Sequence, residues 1–85
     1  MRRFKWIQWN IQKIDAHALS VEEVEAAFEH VLKLEERSDG SFEMFAEVPS
    51  GRQICVIWRY DRDDDEVPDF LGSLADPAIF VITAY

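Results

Sequence analysis

At 85 residues, 48% of them hydrophobic, the chain has the size of one small domain spanning 1–85, and three Trp, six Phe and two Tyr supply the large side chains that so small a core needs. Nine basic against seventeen acidic residues give a net charge of −8, a field that repels phosphate and argues against non-specific nucleic-acid binding outside a local basic surface. A single cysteine excludes an internal disulfide, and no apolar run approaches the ~18 residues of a membrane span.

The charge is uneven. Residues 1–60 carry eight basic and ten acidic groups, whereas 61–85 carry one and seven, and Arg2, Arg3, Lys5 and Lys13 all precede the first acid, Asp15. The opening Met-Arg-Arg is followed by no apolar signal core, so the expected location is the cytoplasm.

In chain order, "RFKWIQW" (3–9) is rich in aromatics and predicts a first strand. Asn10 is a good N-cap, and Ile11, Ile14 and Ala18 follow at helical spacing, giving a first helix of about two turns. A second helix is announced by Ser20 and Glu23, a capping box, with Val21, Val24, Phe28 and Val31 repeating at three and four. Glu22, Glu23 and Glu25 suit the positive end of that helix.

The period then changes to two. Asp39-Gly40 signals a hairpin, after which Phe42, Met44, Ala46 and Val48 face one way and Glu43, Phe45 and Glu47 the other. Pro49-Ser50-Gly51 marks a second turn, and Ile54–Trp58 is the continuous apolar run of a central strand. Asp61 to Pro77 has no sustained period and reads as a long acidic loop; "AIFVITAY" closes the chain as a buried strand. The expected fold is α+β, with two N-terminal helices packed on one face of a mainly antiparallel sheet of four or five strands.

Lys13 and His17, four apart, share a helix face with Asn10. A lysine stabilises a phosphate as a point charge and a histidine moves protons near neutral pH, a pairing suited to phosphodiester cleavage by an attacking 2′-hydroxyl. The competing reading is an ordinary solvated helix face. Arg52, after a turn, is either a phosphate contact or an exposed strand-end arginine. Arg59 and Tyr60 precede the acidic segment and are placed to pair with it, while His30 reads as a solvated helix residue. Tyr85 is either a sheet cover, a proton donor or a base-stacking ring. Cys55, within an apolar run, reads as a buried free thiol. Asp61, Asp63 and Asp65 have the 1, 3, 5 spacing of an EF-hand, but Glu66 stands where glycine is needed and Gly72 where the bidentate glutamate belongs, so a hydrated loop is expected instead of a calcium site.

The string "WNIQKIDAHALSVEEVEAAF" resembles the N-terminal part of the BrnT-type toxin family, the ribonuclease toxins of BrnT–BrnA toxin–antitoxin pairs. The shared elements are Trp9-Asn10, Lys13, Ile14, His17, Leu19, Ser20 and Glu22-Glu23-Val24 leading to Phe28; downstream, Gly51-Arg52 and the closing "FVITAY" are similar too. The resemblance implies a RelE/BrnT-like α+β fold, a metal-independent ribonuclease without cofactor, and neutralisation by a cognate antitoxin. Carried over residue by residue, it makes His17 and Lys13 candidates for proton transfer and phosphate contact, with Arg52 a second phosphate contact. The family usually has glycine where Ala18 stands, and closes its last strand with arginine where this chain has Tyr85. The alternative to an RNA-cleaving toxin is a non-catalytic relative serving as a protein-interaction module; exposed Phe45 and open sheet edges point to a partner or a homodimer.

Overall fold

Alternating and continuous apolar patterns build most of the sheet. The computed structural model describes residues 3–61 and 78–85. Within them the chain forms β1 (Phe4–Lys5), α1 (Gln8–Asp15), α2 (Val21–Ala27), β2 (Val31–Glu36), β3 (Phe42–Glu47), β4 (Gln53–Asp61) and β5 (Ala78–Ala84). β3 shows the expected alternation, with Met44 and Ala46 buried and Phe45 and Glu47 exposed. In β4 every residue from Ile54 to Trp58 is buried, so both faces of that stretch are covered, as its continuous apolar run implied.

The hairpins β2–β3 and β3–β4 close in the same way. The Arg37 N–H donates to the Ser41 carbonyl (2.8 Å) and the Gly40 N–H to that of Arg37 (3.2 Å); the Val48 N–H donates to Arg52 (2.9 Å) and the Gly51 N–H to Val48 (2.8 Å). Each is a three-residue loop whose last residue must be left-handed, and Gly40 and Gly51 hold φ of +88° and +91°. The Asp39 carboxylate braces the first loop by accepting from the Ser41 backbone N–H at 2.9 Å.

The strand order is β1-β5-β4-β3-β2. β2, β3, β4 and β5 pair antiparallel in sequence, but β1 lies parallel to β5, with Phe4 opposite Ile79 and Lys5 opposite Phe80. The α+β class holds, whereas the expected mainly antiparallel sheet is a mixed one. The reason is topological. Hairpins force their strands antiparallel, but β1 is joined to β5 by no hairpin and is free to take the other direction.

One hydrophobic cluster gathers Ile14 of α1, Leu19, Val24 and Ala27 of α2, and Phe28 with alternate residues of β3, β4 and β5, among them Met44, Val56 and Val81. Aromatic rings fill its β4 end: Trp58 stacks on Phe42 (4.5 Å between centroids) and meets Phe28 edge-on (5.5 Å), which in turn meets Phe4 (5.1 Å).

Three expectations for the N-terminal half are corrected. The first strand is two residues long, because Gln8 and Trp9 belong to α1. Asn10 does not cap that helix from outside; it sits in the first turn, fully buried, where its side-chain oxygen accepts from the Ile7 N–H (2.7 Å) and its Nδ2 donates to the Lys5 carbonyl (2.9 Å). The helical repeat through Val31 also stops early. After Phe28 the turn tightens to i→i+3 hydrogen bonds, and β3 takes the following segment, with the Glu47 N–H donating to His30 and Val31 opposite Ala46. Asp61, placed at the start of the acidic loop by its sequence, is the buried end of β4; residues 62–77, Asp63, Asp65 and the rest of that loop among them, lie outside the described residues.

Candidate functional site

The end of α1 is built by its backbone. The Leu19 N–H donates to the Ile14 carbonyl (3.1 Å) and the Ala18 N–H to Asp15 (2.9 Å), the paired bonds of a Schellman ending, with Leu19 and Ile14 both in the core beneath it. Ala18 takes the left-handed position at φ +59°, where a β-carbon is costly and glycine is the usual occupant. This turn projects His17 outward.

Two other elements converge on His17. The β3–β4 loop delivers Arg52, whose guanidinium donates from Nη2 to the His17 carbonyl (3.0 Å) and from Nη1 to the Ala18 carbonyl (3.4 Å). A cation set on the last carbonyls of a helix satisfies acceptors that the helix leaves open and complements its negative end. β5 delivers Tyr85, whose ring centroid lies 5.8 Å from that of His17. Tyr85 is locked to Cys55 by a reciprocal backbone pair, 2.8 and 2.9 Å. Burial pushes the Cys55 thiol up from its ordinary range, against the opposing pull of the Tyr85 hydroxyl; that same hydrogen bond to Cys55 is the main cause holding the Tyr85 hydroxyl above its own. Cys55 is a buried free thiol, as its apolar neighbours implied.

Lys13 stands one turn before His17 with its Nζ 5.4 Å from the centroid of the Trp9 ring. Trp9 stacks on Phe80 (5.9 Å, 14° between planes), and the Arg59 guanidinium lies 4.7 Å from the Phe80 centroid on the cross-strand pair that β4 and β5 form. Cation, two rings and cation therefore make one column. Half of it was legible, since Trp9 and Lys13 are four apart on a helix; the other half depends on the register that sets Arg59 opposite Phe80. Arg59 also donates to the Tyr60 carbonyl (3.3 Å).

Of the three residues singled out by sequence, the structure joins His17 to Arg52 through the His17 carbonyl and places Lys13 in α1, engaged with Trp9; His17 lies in the turn after that helix and not on it. His30 is exposed at the turn into β2. Among the described residues no group of three or more His, Cys, Asp or Glu side chains is placed to hold a metal ion, and no helix is long and apolar enough to cross a membrane. Comparison with protein-family models, with curated proteins and with solved structures gives no match to this chain.

Proposed function

We propose that the chain is a BrnT-like toxin-family protein of the cytoplasm, with the scaffold of the RelE-type ribonucleases, that engages RNA along α1 and is neutralised by a cognate antitoxin. The observation that carries this reading is a local one. In a chain of net charge −8, Lys13 and Arg59 flank the Trp9–Phe80 stack along α1 and β5, and further along the same two elements Arg52 and the exposed ring of Tyr85 lie beside the projecting His17. Cations interleaved with exposed aromatic rings are what single-stranded nucleic acid needs, one for its phosphates and the other for its bases. A second observation supports it: the position where the BrnT-type pattern carries glycine, Ala18, is left-handed here.

In the proposed reaction the substrate's own 2′-oxygen attacks phosphorus and the 5′-oxygen leaves, so no metal is required. His17 takes the 2′-hydroxyl proton as the O2′–P bond forms and the P–O5′ bond breaks, leaving a 2′,3′-cyclic phosphate, and the departing 5′-oxygen takes a proton from water; Lys13 meets the phosphate as a point charge, and Tyr85 offers a stacking face. Arg52 is a positioning residue, since its donors hold the carbonyls of the turn that presents His17.

The test is expression of the intact chain with growth and RNA integrity as readouts. Arrest and cleavage that vanish in His17→Ala and weaken in Lys13→Ala, with melting unchanged in both exposed-site variants, support the reading; an intact chain that causes neither removes it. Arg52→Ala is expected to lower activity and melting together.

The second reading, a non-catalytic interaction module, is favoured by β2, all six residues of which are exposed. It predicts inert RNA assays for the intact chain.

A further inference from the structure

β2 is the outer strand of the sheet and pairs only with β3 among the described strands. It carries Leu32 at 58% and Leu34 at 52% exposure, large apolar side chains on an edge whose outward backbone groups pair with no other described strand. Which groups point outward follows from the ladder. The Arg37 N–H donates inward to Ser41, so Arg37, Glu35 and Lys33 spend their backbone groups on β3, and Leu34 and Glu36 direct theirs away from it.

We propose that β2 is a self-pairing edge: two copies of this chain join antiparallel through β2 about a two-fold axis at Leu34, merging their sheets. In that register each Leu34 donates to and accepts from its counterpart, which uses the outward groups. Lys33 then falls opposite Glu35 of the second copy, on both sides of the axis, and the two Leu34 side chains come together on the face that carries Met44. Registers displaced by one step in either direction set Lys33 against Lys33 or Glu35 against Glu35. The charge pattern therefore selects one register, because opposite charges across a strand pair attract and like charges repel.

The present surroundings of Glu35 add to the argument. It lies directly opposite Glu43 on β3, and its cation is Lys33 of its own strand (3.0 Å) at a site where both side chains are more than half exposed. A second Lys33 arriving across the axis offsets that like-charge pairing. An edge lysine ordinarily discourages strand addition; here the register that presents it also presents Glu35.

The experiment is sedimentation of the full chain through the micromolar range. The intact protein is expected to form dimers. Lys33→Glu, which places four carboxylates at the centre, is expected to weaken association about tenfold or more. The swap Lys33→Glu with Glu35→Lys rebuilds the pattern with signs exchanged and is expected to return association to within about threefold. Leu34→Pro deletes an N–H that β3 does not use, and so is expected to abolish the dimer while leaving circular dichroism and melting of the monomer in place. A chain that stays monomeric throughout the range overturns the proposal. So does a dimer indifferent to Lys33→Glu, or one that the swap fails to recover. The two charge variants decide the matter even if Leu34→Pro does not fold, since both positions are exposed on the folded chain.

Discussion

The two edges of this sheet are treated in opposite ways. At one, β1 pairs with only the first part of β5, at Ile79 and Phe80, and α1 runs beside the remainder: Trp9 meets Phe80 and, two turns on, His17 meets Tyr85. Ile14 reaches the core from the same helix, Asn10 ties the helix to β1 and Lys5 pairs with the buried Asp61 at 2.9 Å. At the other edge β2 offers six exposed residues and a bulge between Val31 and Lys33. A covered edge is where the backbone and a helix are bound into the core, and an open edge is where side chains are left to meet solvent or another chain. The candidate site sits on the first, the proposed self-pairing surface on the second.

That contrast is open to direct attack. The largest effect is expected from Ile14→Ala, which empties a fully buried position under the covered edge and should cost about 3 kcal/mol in chemical denaturation. Asn10→Ala removes the side-chain link from α1 to the Lys5 carbonyl of β1 and the acceptor of the Ile7 N–H at the start of the helix, both part-buried; a loss of about 2 kcal/mol is expected, with amide exchange quickening first at Ile7. In the opposite direction, Ala18→Gly relieves the left-handed β-carbon and should raise stability by about 1 kcal/mol, read as an increased melting temperature. A change in the open edge should barely register: Leu32→Ser in dilute protein is expected to shift stability by less than about 0.5 kcal/mol, and a large loss there would mean that β2 is not the free edge described.

The smallest effect concerns pH. The hydroxyl and backbone N–H of Ser41 hold the Asp39 carboxyl below its ordinary range. A depressed carboxyl contributes stability that is present above the unfolded value, about 3.9, and is lost as pH falls through the folded one. The β2–β3 loop is therefore expected to loosen only in acid, seen as a shift of the Ser41 amide resonance, and Asp39→Asn should erase the transition.

Much of this arrangement was legible because it is local. Ser20 and Glu23 form the capping box, the Ser20 hydroxyl accepting from the Glu23 N–H at 3.2 Å, and the glycines close both hairpins. The period-two pattern of β3 and the unbroken apolar run of β4 place those strands at the sheet's interior. The candidate site was half legible. Helical spacing predicted one face for Lys13 and His17, which the structure divides between α1 and the turn after it, and nothing in the spacing of residues 52 and 17 announces that Arg52 hydrogen-bonds the turn beneath His17. Nor does Arg59 declare its place over Phe80 before the β4–β5 register is known.

The amino-acid sequence by itself determined the elements whose stabilising contacts lie a few residues apart: α2 with its cap, the two glycine loops, the alternation of β3. Tertiary structure alone decided that Val31 belongs to a strand instead of a helix, that Asn10 works from inside its helix, that β1 runs parallel to β5, and that among the described residues one edge carries α1 beside a two-residue strand while the other ends in the exposed β2. Each of these is set by a partner far away in the chain, through backbone hydrogen bonds and burial that any residue can join once the partner is in place, so the local pattern carries no mark of them.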